Sequence, residues 1–204
     1  MSAHDNVFDR AFGAFLFDMD GTVLNSIAAA ERVWAAWAER HGVDVESFLP
    51  TIHGARAIDT IRRLNLPGVD AEAQAAFIAR AEIDDVEGIV QIPGAAAFLA
   101  SLPVERWAMV TSAPRALALR RMAAAGICEP AVMITAEDVT AGKPDPAGYR
   151  LAAKRLGLDP YIVDTLMRDL IAHDRAPSTF VVFLWLWRQT HAQGREKVGA
   201  SLAD

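Results

Sequence analysis

A single cysteine, Cys128, occurs in 204 residues, which excludes an internal disulfide and suits a reducing compartment. Basic charge is not in excess either. The chain carries 20 Lys and Arg against 26 Asp and Glu, a formal net charge of −6. Without a basic stripe, nucleic acid is not an expected partner. Long apolar runs are missing as well. The longest block, Phe180 to Trp187, falls far short of the ~18 residues that a membrane span needs. Met1 to Gly13 holds acids and no apolar signal core, so secretion is not expected. These absences leave a cytoplasmic globular protein of one domain, or one domain with a small insert. At 52% hydrophobic residues, the chain has ample material for a core.

What is present begins at Ala14-Phe15-Leu16-Phe17-Asp18-Met19-Asp20-Gly21-Thr22-Val23-Leu24. A short apolar run with aromatics reads as a strand of a parallel sheet, buried on both faces. It ends in two carboxylates and a Gly turn, at the strand end where open α/β sheets form their ligand crevice. After it, Ile27 to His41, Arg56 to Leu64 and Ala71 to Val86 have helical spacing, the last with Asp70 as its N-cap. No strand is expected between Leu24 and Ile89, so a helical insert interrupts the α/β pattern. Its Trp and Ile stripes read as core. The pattern resumes with a helix after Gly94, a strand from Arg106 to Val110, and a helix opened by Pro114 and stopped at Gly126. A strand from Ala131 to Ile134 and a helix from Asp145-Pro146 to about Gly157 complete it. Alternation of this kind predicts a doubly wound parallel sheet.

Three polar clusters fall at or beyond three strand ends: Asp18 with Asp20, Thr111 with Ser112, and Lys143. A carboxylate can attack phosphorus and divide one difficult hydrolysis into two easier steps. Asp18, at the strand end, is the candidate nucleophile. Asp20 is the candidate general acid and base, protonating the leaving oxygen and then deprotonating water. Two carboxylates facing a phosphate dianion require cations, which Mg²⁺ and Lys143 would supply. The hydroxyls of Thr111 and Ser112, with N–H groups at the helix opened by Pro114, form an expected phosphate cradle. Capping of that helix by the same hydroxyls is compatible with this role. Cys128 has no activating neighbour in sequence and is expected to be a packed thiol.

Asp18-Met19-Asp20-Gly21-Thr22-Val23-Leu24-Asn25-Ser26, Thr111-Ser112 and Gly142-Lys143-Pro144-Asp145-Pro146 together resemble the first three motifs of the haloacid-dehalogenase-like hydrolase superfamily. The likeness covers roughly residues 12–160. It implies a Rossmann-like α/β core, residues 1–25 and 89–204, with a small all-helical cap, residues 26–88, inserted after the first strand. The cap resembles that of the branch holding sugar phosphatases and β-phosphoglucomutase. By this resemblance Asp18 is nucleophile and Mg²⁺ ligand, and Asp20 is acid/base and binds the metal through its backbone carbonyl. Thr111 and Lys143 hold the phosphoryl group. Within the cap, His53-Gly54-Ala55-Arg56 is similar to a substrate-specificity loop, with Arg56 as the expected contact.

From Tyr161 onward the chain departs from the family pattern. An apolar strand ending in two acids and followed by a Gly-rich helix is expected there to complete the metal shell. The sequence has Tyr161-Ile162-Val163-Asp164-Thr165-Leu166-Met167-Arg168-Asp169 instead. Asp169, then Asp164, are the nearest substitutes as metal ligands. A frameshift, a truncation or a sequence error would each produce such a segment, and reading the other frames of the gene's 3′ end tests this. The expected function is a Mg²⁺-dependent phosphatase acting on a small phosphorylated metabolite such as a sugar or polyol phosphate. A phosphosugar mutase with the same residues, or an impaired binding protein lacking the metal acids, are the rival expectations.

Overall fold

The computed structural model describes residues 13–158. The chain opens with β1 (Phe15–Phe17), turns through Gly21 and forms β2 (Leu24–Asn25). Four helices follow: α1 (Ile27–Arg40), α2 (Val45–Phe48), α3 (Ala57–Leu64) and α4 (Ala71–Asp84). Then come β3 (Val90–Gln91), α5 (Ala95–Ser101), β4 (Trp107–Val110), α6 (Arg115–Ala124), β5 (Val132–Ile134) and α7 (Ala147–Arg155). Strands β1, β4 and β5 form a parallel sheet in the order β1-β4-β5, with Leu16 opposite Ala108 and Met109 opposite Met133. The expected α/β architecture with helices on both faces is the one observed.

Burial follows the period-two alternation of strands. Trp107 and Met109 of β4 pack on one face with Leu99 of α5 and with Leu117, Ala118 and Met122 of α6. Ala108 and Val110 point to the other face, against Ala152 and Ala153 of α7, joined there by Leu16 and Ile134. All four residues of β4 are therefore buried, whereas in β1 only Leu16 is fully so. Gly148 of α7 lies where an added Cβ would sit 3.0 Å from Val110 Cγ1, so α7 approaches the sheet closely.

The helices between the short strands have their own apolar centre. Trp34, Trp37, Ala38, Phe48, Ile52, Ile61 and Ile78 form a cluster separate from those of the sheet. Trp34 and Trp37 meet edge-on at 5.7 Å, and the Trp37 indole N–H donates to Gln74 Oε1 at 2.9 Å. That bond satisfies the one polar atom of a buried aromatic. The expected core role of the Trp and Ile stripe is thus realised, although Ile27, at the start of α1, is exposed. Asp70 caps α4, accepting from the Ala73 N–H at 3.1 Å. The antiparallel pair β2–β3 sets Asn25 opposite Val90, so both chain crossings into the helical segment lie side by side. No helix among the described residues is long and apolar enough to cross a membrane.

Cys128 is exposed, not packed as expected. Ile127 takes the buried position after the α6 turn, which leaves its neighbour facing solvent.

Candidate active site

Asp18 lies one residue beyond β1, at its carboxyl end. Its Oδ1 receives the Lys143 ammonium at 2.6 Å and the Met19 N–H at 2.7 Å. Both contacts fall on one oxygen, and Oδ2 has no protein partner among the described residues. Lys143 arrives from the loop before α7. It also donates to the Val110 carbonyl at the end of β4, at 3.0 Å, and stands 5.4 Å from the Tyr149 ring centre. The ammonium thus joins the ends of two strands to the third loop. Burial, and secondarily the Asp18 charge, raise the Tyr149 phenol above its ordinary value.

Asp20 follows within the same turn. Gly21, at φ +76°, reverses the chain there in a conformation a Cβ disfavours. The Met19 carbonyl accepts from the N–H groups of Thr22, Val23 and Leu24. Asp20 Oδ1 accepts from Ser26 Oγ at 2.5 Å and from the Arg121 guanidinium at 3.0 Å. The same guanidinium reaches Glu82 Oε1 of α4 at 3.0 Å. Neither Arg121 nor Glu82 was singled out by the sequence reading. The available signal was Arg121 itself, a cation one helical turn after Leu117 on the buried stripe of α6. A charge on such a stripe needs a buried partner.

Glu82 is only 8% exposed at its side chain, and burial pushes its carboxyl from the ordinary 4.5 up to about 7. Repulsion from Asp20 acts in the same direction, while Arg121 and the Trp34 indole oppose it. A carboxyl whose folded pKa lies above its unfolded value binds its proton more tightly when folded. Its contribution is therefore full below the unfolded pKa and is lost as pH rises through the folded one. In metal-free protein, this group should lower unfolding free energy by on the order of 3 kcal/mol between pH 4.5 and 7.5. Denaturant unfolding across that range checks it: Glu82→Gln should remove the fall. Equal slopes in both proteins would show that Glu82 is charged throughout.

Thr111 and Ser112 sit at the end of β4, beside the Lys143 loop. Thr111 is buried, and its Oγ1 accepts from the Ala113 N–H at 3.1 Å. Ser112 Oγ donates to the Gly54 carbonyl at 2.8 Å, reaching across to the helical segment. The start of α6 is not open in the expected way, because the Glu137 carboxylate accepts from the Arg115 N–H at 3.0 Å. The Thr111 N–H goes to Ile134. Ser112 retains a main-chain N–H with no protein acceptor among the described residues. Thr111, Ser112 and Lys143 line one cavity.

Arg56 lines the same cavity as Thr111, Ser112, Gly142, Lys143 and Tyr149. Its guanidinium is already engaged, by Asp59 at 2.6 and 3.0 Å and by the Val139 carbonyl at 3.1 Å. A Cβ on Gly142 would meet Arg56 Nε at 2.8 Å, so only glycine admits this side chain against the loop. His53 is exposed and stands 3.2 Å from Glu31.

The donors expected to hold Mg²⁺ fit in kind, since the Asp18 carboxylate and the Asp20 carbonyl offer hard oxygen ligands. They are few. Among the described residues no group of three or more His, Cys, Asp or Glu is placed to hold a metal, and Asp164 and Asp169 lie outside the described residues.

The fold and the family are matched by known proteins. Residues 12–163 match the model of the haloacid dehalogenase-like hydrolases. The chain is 43% identical over 150 residues to hexitol phosphatase A of Escherichia coli strain K12, covering 72% of this chain and 69% of that protein. It is 34% identical over 185 residues to 2-deoxyglucose-6-phosphate phosphatase 1 of Saccharomyces cerevisiae, covering 82% and 70% respectively. A hydrolase from Pseudomonas syringae superposes with a TM-score of 0.65 at 25% identity, over 78% of this chain and 80% of that one. With a parallel sheet, a strand-end carboxylate paired to a loop lysine and a family match over residues 12–163, the chain belongs to the haloacid dehalogenase-like hydrolases.

Proposed function

We propose that this hydrolase is a Mg²⁺-dependent phosphatase of small sugar or polyol phosphates, working through an aspartyl-phosphate on Asp18. The observation that carries the reading is the Asp18–Lys143 pair at 2.6 Å, beside the Ser112 main-chain N–H, which has no protein acceptor among the described residues. Lys143 and the Met19 N–H fix one carboxylate oxygen and leave Oδ2 as the attacking atom. That oxygen forms the new bond to phosphorus as the bond to the leaving oxygen breaks. Asp20 gives the leaving oxygen a proton and later takes one from the water that cleaves the phosphoenzyme. Lys143 and the Ser112 N–H stabilise charge on the phosphoryl oxygens. Asp18, the Asp20 carbonyl and, by proposal, Asp169 would hold Mg²⁺, which supplies further charge neutralisation when bound. The names of the hexitol phosphatase and deoxyglucose-phosphate phosphatase relatives support the substrate class.

In this reading residues 26–88 are a cap over a core of residues 1–25 and 89–204. Their separate apolar cluster and the β2–β3 pairing at both crossings support it. Ser112 to Gly54 and Arg56 to Val139 are then contacts between cap and core, and Arg56 acts at the substrate end of the cavity. Phosphate release from a panel of sugar, polyol and amino-acid phosphates, with and without Mg²⁺, tests the proposal. Mg²⁺-dependent turnover concentrated on the sugar and polyol esters is expected. Absence of release by folded protein from every ester would overturn it.

A further inference from the structure

Arg121 is the least expected charge in the molecule. It sits on the apolar stripe of α6 with its side chain 7% exposed, and its Nε is buried without a partner among the described residues. Burying a guanidinium is unfavourable unless carboxylates meet it, and here two do. One terminal nitrogen donates to Asp20 Oδ1 and the other to Glu82 Oε1, each at 3.0 Å. Ser26 Oγ donates to that same Asp20 oxygen at 2.5 Å. Asp20 therefore has Oδ1 doubly occupied and Oδ2 without a protein partner among the described residues.

The geometry points to Arg121 as the positioning residue of the acid/base carboxyl, an inference that rests on the phosphatase reading above. With two donors on Oδ1, the transferable proton is confined to Oδ2. In the first step the phosphorus–oxygen bond of the ester breaks and the Oδ2 proton passes to the departing alkoxide. In the second, Oδ2 takes a proton from the attacking water. Arg121 keeps its charge throughout and exchanges no proton. Glu82 holds the second arm of the guanidinium, so the cation cannot swing away from Asp20. Because Glu82 belongs to α4, the placement of Asp20 is tied to that helix.

A structural role and a positioning role differ in one readout, the dependence on the leaving group. An alkyl alcohol needs a proton as it departs, whereas p-nitrophenolate does not. Arg121→Met is expected to lower kcat/KM for glycerol phosphate by about 100-fold, the lower range for losing a general acid. For p-nitrophenyl phosphate the loss should stay within about fivefold. Asp20→Asn provides the reference signature, and Arg121→Lys should recover part of the glycerol phosphate activity. Glu82→Gln should show the same bias with a smaller loss. Equal losses on both esters, or none, in Arg121→Met or Arg121→Lys overturn the inference while leaving the phosphatase reading intact. If Arg121→Met does not fold, the Arg121→Lys comparison decides alone. Wild-type protein that releases phosphate from neither ester overturns the phosphatase reading and this inference with it.

Discussion

Asp18→Asn should leave a folded protein that binds phosphate esters and does not turn them over, with kcat reduced by at least about 10⁴-fold. The amide is nearly isosteric, and its oxygen still accepts from the Met19 N–H and from Lys143, the two contacts that fix Oδ1. What it lacks is a nucleophilic oxygen able to form an acyl phosphate. The substitution also removes one negative charge that faces the incoming dianion, so substrate affinity should be kept or improved. A collapse of kcat without a rise in KM is the pattern of a group acting in the chemical step. The phosphoenzyme mimic formed with beryllium fluoride should be lost in parallel, since it needs a carboxylate oxygen to bind. A variant retaining activity within about tenfold would instead require direct attack by water, and the aspartyl-phosphate route would be wrong.

Asp18, Asp20 and Lys143 were legible in the sequence because the signals that mark them are local. Asp18 and Asp20 follow an apolar run and precede a glycine, and the structure places Asp18 at the end of β1 as that order requires. Lys143 stands before Asp145-Pro146, and α7 begins at Ala147. The helices with strong period, α1, α3 and α4, end within about two residues of the expected bounds. Elements of about one period, too short to repeat, were not legible. α2 spans Val45–Phe48, too short for a 3.6-residue repeat, and β2 and β3 have two residues each. Their pairing is decided by the return of the chain at Val90, not by their own side chains. The neighbours of Asp20 were hidden for a different reason, their distance along the chain. Arg121 and Glu82 lie 101 and 62 positions beyond it, and only packing of α6 against α4 brings them together. Glu137 closing the start of α6 is another such case, because nothing local marks an acid 22 residues onward as the partner of Arg115. The sequence departure after residue 160 falls on residues outside the described ones, and the family match ends at residue 163, before Asp164 and Asp169.

Lys143→Met should lower kcat/KM by about 10³-fold, close to 4 kcal/mol of lost transition-state stabilisation. The ammonium performs two tasks from one position. It holds Asp18 Oδ1 at 2.6 Å and is itself held by the Val110 carbonyl at 3.0 Å. Methionine preserves the stem length and its packing beside Tyr149 while removing charge and donors. Phosphate must then approach a carboxylate with no fixed cation between them, so binding and chemistry both suffer. Inhibition by inorganic phosphate should weaken together with kcat, in contrast to Asp18→Asn, where affinity survives. Lys143→Arg should not restore activity, because a planar fork cannot replace a point charge between a carboxylate and a carbonyl. Thermal unfolding should move by only a few degrees, as expected for the loss of about 1 kcal/mol at a partly exposed pair. If Lys143→Met keeps wild-type affinity for phosphate and loses only kcat, the lysine orients Asp18 without touching the phosphoryl group. Comparing phosphate inhibition in the two variants therefore separates holding the nucleophile from holding the substrate.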